Sequence, residues 1–469
     1  EEQDTISIND SDSEHEVEGT TGNRLVSDEV VFSASHSSTH SSSHVPDFDE
    51  MYAALLFTQA NSDVLDKEED LRSEDYHMLC APNANQSTMQ KFTLKEILQN
   101  LSEALTYDEI SKFNISRNHI WEGTKRALNR KSFHPRNKIS VKFTDDIGTS
   151  EGAVDLGGPA RKFFTLVIEW LVNSKLFFGV ETSKFLSLNA NCLEEREYYL
   201  AGQIFAMSLV HGGPGPKCFA ESCYHAVMKE TGTQIHAHLN DVPDYELRSS
   251  FDRLLKACDA KEATQIIQNE KLDVVFDMAG TIQVVKTTDD IQDMVQKTID
   301  WYVVGRVQPA YCSFRKGLQA LGVLEAMRNH PDVFHEAFCY TPEVLTASSF
   351  EALFPEVTRQ YEGYNRRLVE NLVLSHWRDF LQDTEEDTST FSFSDILFFT
   401  TGCKQLPPLG LSCEIAFLHD PEDDGKLSKF PKANTCAGIL YLPVVHEDYG
   451  QFKDAMIFAM QNSRGFGIA

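Results

Sequence analysis

The 469-residue chain is acidic, with a net charge of −29, and 41% of its residues are hydrophobic, including 31 Phe. This length exceeds one hydrophobic core and predicts two or three domains. The negative charge argues against nucleic acid as a partner, because phosphate binding requires a dense basic surface. A membrane span needs about 20 apolar residues, and Glu169 interrupts the longest candidate, FFTLVIEWLV. We therefore expect neither nucleic acid nor a membrane among the partners.

The ten cysteines are scattered along the chain and form no C-x-x-C pair. This pattern argues against a disulfide framework and a zinc finger, and it fits a reducing compartment, the cytoplasm or the nucleus. One segment, CFAESCYH, approaches metal-ligand spacing with Cys218, Cys223 and His225. Such a cluster without a second half is more often an ordinary helix, so we expect no metal and no cofactor. No signal peptide opens the chain, and the missing initiating Met leaves open whether the chain is a fragment.

Residues 1–90 are predicted to form a disordered, acidic and Ser-rich tail. They hold 20 Asp/Glu against 3 Lys/Arg, and their apolar surface is too small to offset the entropy of ordering. His36, His40 and His44 have a spacing that would align them on a helix, but the serines between them disfavour that helix. A solvated tail is therefore preferred to a metal site in this region.

Regular structure is predicted to begin with a helix over 92–105, where Leu and Ile recur at helical spacing. The basic segment 125–138 is interpreted as a solvated helix end and turn, and the alternating ISVKF after it as a strand. The pair Gly157-Gly158 then predicts a tight turn into a helix. The apolar face of that helix comprises Phe163, Phe164, Val167, Ile168 and Leu171. A phosphate loop is excluded because neither Lys-Ser/Thr nor the GxGxxG spacing is present.

Helical patterns continue to about residue 350, after which the sequence predicts a small α/β module. An aromatic-rich helix, LVENLVLSHWRDFL, leads to SDILFFTTGCKQLPP, a strand or helix end with a Gly-Pro loop. EIAFL and GILYLPV are predicted strands, and EDYGQFKDAMIFAMQNS is a last helix. Cys436 precedes the second strand, after the polar turn FPKANT. From this position alone, Cys436 is more simply a small buried side chain than a nucleophile.

Four motifs occur in an order that resembles the HECT family of ubiquitin-protein ligases. VDLGGPARKFF is similar to the family's early motif, which matches at Asp155, Gly157, Gly158 and Arg161. FFTTGCKQLPP resembles its Phe-x-Thr-Gly stretch, FPKANTCAGILYLP resembles the segment around its catalytic cysteine, and RGFGIA keeps a Phe fourth from the end. Within the family, KSFHPRNKISVKFTDDIGTSEGAVDLGGP most resembles the G2/M-phase-specific ubiquitin ligase group.

This resemblance implies an α+β, bilobal HECT-like fold that follows the disordered tail at 1–90. A mostly helical N-lobe is expected at 91–352, with a lead-in helix and a docking region for the ubiquitin-conjugating enzyme. A hinge at 353–362 would join it to a small α/β C-lobe at 363–469. The implied activity is transfer of ubiquitin from the conjugating enzyme, through a cysteine thioester, to lysines of protein substrates.

The resemblance also implies the roles of individual residues. Cys436 is the expected catalytic residue, which carries ubiquitin as a thioester. Pro431, Asn434 and Thr435 are expected to support the active-site loop. Phe466 is the expected C-terminal anchor, which the family needs for ligation. With these motifs in view, the nucleophile becomes the favoured interpretation of Cys436.

Two alternatives remain open. The first is a non-enzymatic HECT-like scaffold. It is favoured by Ala437, which stands where the family usually has an aromatic residue, and by the compressed docking region at about 218–290. The retained Cys436 and Phe466 oppose it. A cysteine hydrolase is the other alternative, but it requires a His base. Only His446 follows Cys436, and we interpret it as a surface residue before an acidic turn.

Overall fold

The structure, a computed structural model, describes residues 92–144, 158–229, 235–342, 345–359, 365–386, 391–422, 425–435 and 437–463. The predicted tail at 1–90, Cys436 and Phe466 lie outside these residues. The described chain is a mixed α+β protein, mostly helical with small sheets, which confirms that part of the predicted fold class.

Helices account for most of the described residues. In chain order they are α1 (Leu94–Ser102), α2 (Ile120–Leu128), α3 (Gly158–Val172), α4 (Ala190–Glu194), α5 (Glu197–Val210), α6 (Glu221–Met228), α7 (Tyr245–Leu255), α8 (Ala260–Asn269), α9 (Leu272–Met278), α10 (Thr288–Asp300), α11 (Gln308–Leu318), α12 (Val323–Asn329), α13 (Pro331–Phe338), α14 (Ala347–Glu351), α15 (Asn365–Glu385), α16 (Phe393–Thr401) and α17 (Tyr449–Ser463). None of these helices has both the length and the apolar character needed to span a bilayer.

The described strands form three small sheets. They are β1 (Thr106–Ser116), β2 (Asn137–Thr144), β3 (Phe177–Val180), β4 (Ser183–Leu186), β5 (Glu356–Val357), β6 (Glu414–Leu418), β7 (Lys432–Asn434) and β8 (Ile439–Pro443). β1 pairs with β2 in parallel, and β3 pairs with β4 antiparallel. The third sheet has the order β5-β6-β8-β7, in which only β7 is antiparallel to its neighbour. The predicted strands ISVKF, EIAFL and GILYLPV are confirmed as β2, β6 and β8.

The predicted helices are also present, with local features that explain their ends. The helix expected over 92–105 is α1, whose N-cap Thr93 accepts a hydrogen bond from the Glu96 N–H (3.3 Å), while the Glu96 carboxylate accepts one from the Thr93 N–H (2.8 Å). This reciprocal capping box satisfies two amides that the helix itself leaves unpaired. α3 buries the whole apolar face predicted for it: Phe163, Phe164, Val167, Ile168 and Leu171.

Buried side chains from Leu94 to Cys339 form one continuous core, called here the helical core. The beginning of the basic segment 125–138 belongs to it, which corrects the prediction of a solvated helix end. The Lys125 ammonium lies 2.9 Å from a carboxylate oxygen of Glu197, and the same oxygen accepts a hydrogen bond from the Trp121 indole N–H (3.0 Å). Glu197 is buried, so its charge requires these partners, and sequence alone does not reveal them.

Buried side chains from Phe350 to Met460 form a second core, called here the C-terminal core. In it, α16 contacts β7 and β8, and buried side chains of α15, α16 and α17 form one cluster with those of β6 and β8. Phe350 already belongs to this core, and its ring stacks on Phe393 with centroids 5.1 Å apart. Downstream, β5 pairs with β6, and the Leu353 carbonyl accepts a hydrogen bond from the Cys413 N–H (2.8 Å).

The junction between the two cores therefore lies after Cys339 and before Phe350. This is upstream of the hinge predicted at 353–362, whose first residues pack in the C-terminal core and whose last, 360–362, lie outside the described residues. The hinge prediction rests on the Pro and Gly of FPEVTRQYEG. The place at which the chain bends stays a prediction.

Candidate active site

The predicted active-site loop connects β7 to β8. These strands pair antiparallel, with Asn434 opposite Ile439, and Cys436 stands in the sequence between them, outside the described residues. Asn434 accepts two hydrogen bonds from residues that follow it in the loop. Its carbonyl accepts a hydrogen bond from the Gly438 N–H (2.8 Å), and its side-chain Oδ1 accepts one from the Ala437 N–H (3.1 Å).

Gly438 allows the loop to turn back onto the sheet. Its φ is +71°, and a Cβ built there would lie 3.1 Å from the Ser412 carbonyl oxygen. Its own carbonyl accepts a hydrogen bond from the Glu414 N–H (2.9 Å) at the start of β6. Only glycine adopts this backbone conformation without strain. At the other end of the hairpin, Pro431 is buried just before β7.

Arg161 reaches this loop from the helical core. Its guanidinium Nη2 donates a hydrogen bond to the Thr435 carbonyl oxygen at 2.6 Å, across 274 positions of sequence. Hydrogen bonds from a charged donor are among the stronger ones in proteins. Thr435 thus contacts the rest of the molecule through its backbone, and the residue just before Cys436 is held by α3.

The end of α16 packs against the same helix. Gly402 ends α16 with φ +81°, and a Cβ built there would lie 3.0 Å from the Lys162 Cβ. Two residues later, the Lys404 ammonium lies 2.7 and 2.8 Å from the two carboxylate oxygens of Glu169. α3 therefore contacts both the Phe-x-Thr-Gly stretch and the loop around residue 436, which brings three of the four sequence motifs together.

Comparison with known proteins identifies the family. The model of the family described as HECT-domain (ubiquitin-transferase) matches residues 165–469, which include α16 and the whole β7–β8 hairpin. The chain belongs to the HECT family. The resemblance predicted from the four motifs is confirmed.

Individual relatives of this HECT chain agree with that assignment. It is 32% identical over 353 residues to the G2/M phase-specific E3 ubiquitin-protein ligase of Macaca fascicularis and 31% identical over 353 residues to that of Homo sapiens. Both comparisons cover 74% of this chain and 46% of the relative. The E3 ubiquitin-protein ligase Nedd-4 of Drosophila melanogaster is 24% identical over 377 residues, which cover 76% of this chain and 35% of the relative. The HECT chain thus spans about half the length of its G2/M phase-specific relatives.

Two cysteines near the HECT site are poor candidates for a nucleophile. Cys403 and Cys413 are buried. Burial raises the pKa of Cys413 to about 11 and raises the pKa of Cys403 above its ordinary value, while the positive charge of Arg161 opposes both shifts. A buried thiol that stays protonated at neutral pH is not a useful nucleophile. Of the eight cysteines in the described residues, all free thiols, only Cys258 and Cys312 are exposed, and both precede the core junction.

His446, the residue that a cysteine hydrolase would use as its base, is tied to the backbone that precedes β7. It is only 9% exposed, which corrects the prediction of a surface residue. Its ring Nε2 lies 2.8 Å from the Lys429 carbonyl oxygen. A carbonyl only accepts hydrogen bonds, so this nitrogen donates and Nδ1 is the acceptor of the neutral ring.

The structure thus brings the described site residues together in one hairpin, with Asn434 and Thr435 on the side of the loop that precedes residue 436. Phe466 lies outside the described residues, and its anchoring role stays a prediction. Sequence reasoning noted Arg161 as part of a motif but did not predict its contact with the loop. Neither charge nor periodicity around Arg161 indicates a partner so distant in the chain.

Proposed function

We propose that this HECT chain is a ubiquitin-protein ligase that accepts ubiquitin from a conjugating enzyme as a thioester on Cys436 and transfers it to substrate lysines. The observation that carries the proposal is the β7–β8 hairpin. It lies within the residues matched by the family model, surrounds Cys436 in sequence, and is contacted by Arg161.

The chemistry requires positioning more than a strong base. The Cys436 thiolate would attack the thioester that links ubiquitin to the conjugating enzyme, release that enzyme's thiol, and then be displaced in turn by a lysine amine. The cysteine thiolates of the two enzymes are similar leaving groups, so the first exchange is nearly balanced in free energy. A free cysteine with a pKa of about 8.5 is a few per cent thiolate near pH 7, which is enough for so soft a nucleophile held close to its target.

A thioester assay tests this function. The conjugating enzyme is charged with ubiquitin and mixed with the chain, and the products are separated with and without reductant. We expect an adduct of ubiquitin and the chain that disappears with reductant. If no adduct forms with any of a panel of conjugating enzymes, the non-enzymatic scaffold is favoured instead, in keeping with Ala437 at the position that the family usually fills with an aromatic residue.

We further propose that the helical core and the C-terminal core are the two lobes of a bilobal ligase. Ubiquitin would pass from an enzyme docked on the first to a cysteine on the second, so the lobes must reorient. The junction after Cys339 and before Phe350 supports a hinge in that segment. The contacts of α3 with Thr435 and with Lys404 would then belong to a docked arrangement, which we assign to the transfer from Cys436 to lysine.

The conjugating enzyme is proposed to bind an exposed apolar surface formed by Val274, Met278, Ile282 and Val284. Val274 and Met278 lie four residues apart on α9, and the other two follow in the segment before α10. All four are exposed and lie within residues 274–284, and exposed apolar side chains that form a contiguous patch mark protein interaction sites. This surface lies in the region that the sequence assigned to enzyme docking, which supports the proposal.

Val284→Asp is expected to weaken binding of the conjugating enzyme and lower the initial rate of thioester formation by at least about tenfold, because a buried unpaired charge costs more than about 1.4 kcal/mol. Val284 is 78% exposed in the free chain, so the substitution should leave the melting temperature unchanged. Val180→Asp is the matched control, since Val180 is 67% exposed on β3, outside this surface. Equal rates for the two variants would contradict the assignment.

Ending the chain at Gly465 is expected to spare thioester formation and impair transfer to lysine. The truncation removes Phe466, an aromatic anchor worth a few kcal/mol at most by burial, but no reacting atom. The two steps are measured separately, by single-turnover charging and by discharge to free lysine. A chain ending at Gly467 keeps Phe466 and serves as the control. If Phe466 merely stabilises the last helix, the chain ending at Gly465 should have a lower melting temperature and lower rates of both charging and discharge.

We place this activity in the cytoplasm or the nucleus. The support is the chemical state of the cysteines: those in the described residues are free thiols, as in proteins of reducing compartments.

A further inference from the structure

Helices α6 and α13 bring potential metal ligands together at a place that the proposed reaction does not use. Glu221 and His225 stand four residues apart on α6, and His335 and Cys339 stand four residues apart at the end of α13. Residues with this spacing project from the same face of a helix. Two helices therefore present two pairs of side chains of the types that bind zinc.

A short backbone pairing holds the two helices in this register. Phe219 forms a parallel bridge with Cys339, and the Cys218 N–H donates a hydrogen bond to the Phe338 carbonyl (2.8 Å). Since α6 begins two residues after Phe219, Glu221 is held beside Cys339 by the backbone itself. The arrangement does not depend on the flexible ends of the side chains.

The ligand atoms of Glu221, His335 and Cys339 all lie within 4.8 Å of one another. The His335 Nε2 lies 2.7 Å from one carboxylate oxygen of Glu221, and the His225 Nε2 lies 3.4 Å from the other. Ligand atoms in a tetrahedral zinc site are separated by about 3.5 Å, given metal–ligand distances of about 2.0–2.3 Å. Small side-chain rotations would therefore bring Glu221, His335 and Cys339 to a shared ion, and His225 adjoins the second carboxylate oxygen of Glu221.

The surroundings favour such a site. Tyr224 packs edge-on against the His335 ring, with centroids 5.5 Å apart, and its hydroxyl donates to the Pro331 carbonyl (2.6 Å), which restricts the imidazole. One thiolate, one carboxylate and two neutral imidazoles balance a divalent cation.

We propose that Glu221, His225, His335 and Cys339 form a zinc site that joins α6 to α13. The chain between these helices contains the exposed apolar surface on and after α9. A bound ion would therefore link the two ends of that region. The segment CFAESCYH contributes His225 and Glu221. Its two cysteines, Cys218 and Cys223, are buried and are not among the proposed ligands.

The test is a titration of the full chain, under reducing conditions, with Co²⁺ in place of Zn²⁺. A thiolate bound to cobalt gives an intense ultraviolet charge-transfer band, which imidazole and carboxylate ligands do not produce. This band is the readout rather than total metal uptake, because His36, His40 and His44 in the tail can also bind cobalt. We expect a saturable band that Zn²⁺ abolishes by competition.

Four variants decide where the metal binds. Cys339→Ser should lose the band, and His335→Ala should weaken cobalt binding by more than about tenfold, as loss of a ligand does. Cys258→Ser and Cys436→Ser should keep the band, because their thiols lie outside the proposed site. Zn²⁺ should also raise the melting temperature of the unaltered chain but not of Cys339→Ser. A band that persists in Cys339→Ser, or no band in the unaltered chain, would overturn the proposal.

Discussion

Cys436→Ser is expected to abolish the reductant-sensitive ubiquitin adduct. A serine alcohol ionises far less readily than a thiol, so it cannot exchange with a thioester at a useful rate. Any ubiquitin that it captures would be joined through an ester that resists reductant. The neighbouring thiols cannot take over, because Cys403 and Cys413 are buried and burial raises the pKa of both.

The controls for this result are Cys258→Ser and Cys312→Ser, which alter the exposed cysteines of the described residues. Both should form the adduct at the rate of the unaltered chain. An unchanged melting temperature for Cys436→Ser would exclude loss of folding as the cause. If Cys436→Ser still forms a reductant-sensitive adduct, another cysteine is the nucleophile and the assignment of Cys436 is wrong.

Arg161→Ala is expected to slow transfer of ubiquitin from Cys436 to lysine by roughly tenfold, and to leave thioester formation within about twofold. The Nη2 hydrogen bond to the Thr435 carbonyl joins the two cores at the loop. A hydrogen bond from a charged donor is worth about 1.5–3 kcal/mol, and the lower value, suited to a half-buried side chain, corresponds to about tenfold. The measurement is a single-turnover discharge of preformed thioester to free lysine.

Two further variants separate positioning from stability. Arg161→Lys keeps the positive charge but loses the planar guanidinium, so it should recover only part of the rate. Lys404→Ala breaks the exposed ion pair with Glu169, and since such pairs contribute at most about 1 kcal/mol, it should slow discharge less than Arg161→Ala does. Equal slowing of both transfer steps in Arg161→Ala, with a lower melting temperature, would indicate a structural role only.

Much of the fold followed from local patterns in the sequence. The helical spacing of apolar residues predicted α1 and α3, alternation predicted β2, and short apolar runs predicted β6 and β8. These predictions succeeded because an amphipathic helix or a half-buried strand must place its apolar side chains at a fixed period to bury them.

The predictions that failed concern burial that depends on distant parts of the chain. Lys125 was expected in solvent, but it pairs with Glu197, and His446 was expected on the surface, but it is bound to the Lys429 carbonyl. Lys and His side chains are found both buried and exposed in proteins, so the local sequence does not predict the burial of either residue.

The motifs were enough to identify the family and to mark the loop that contains Cys436, because four motifs in a fixed order are far more specific than any single one. How those motifs meet depends on the packing of distant parts of the chain. The contact of Arg161 with Thr435 spans 274 positions, and it depends on how α3 packs against the end of α16, where Gly402 permits the close approach. Such an approach is set by the fit of two buried surfaces, a property that no local pattern of residues contains.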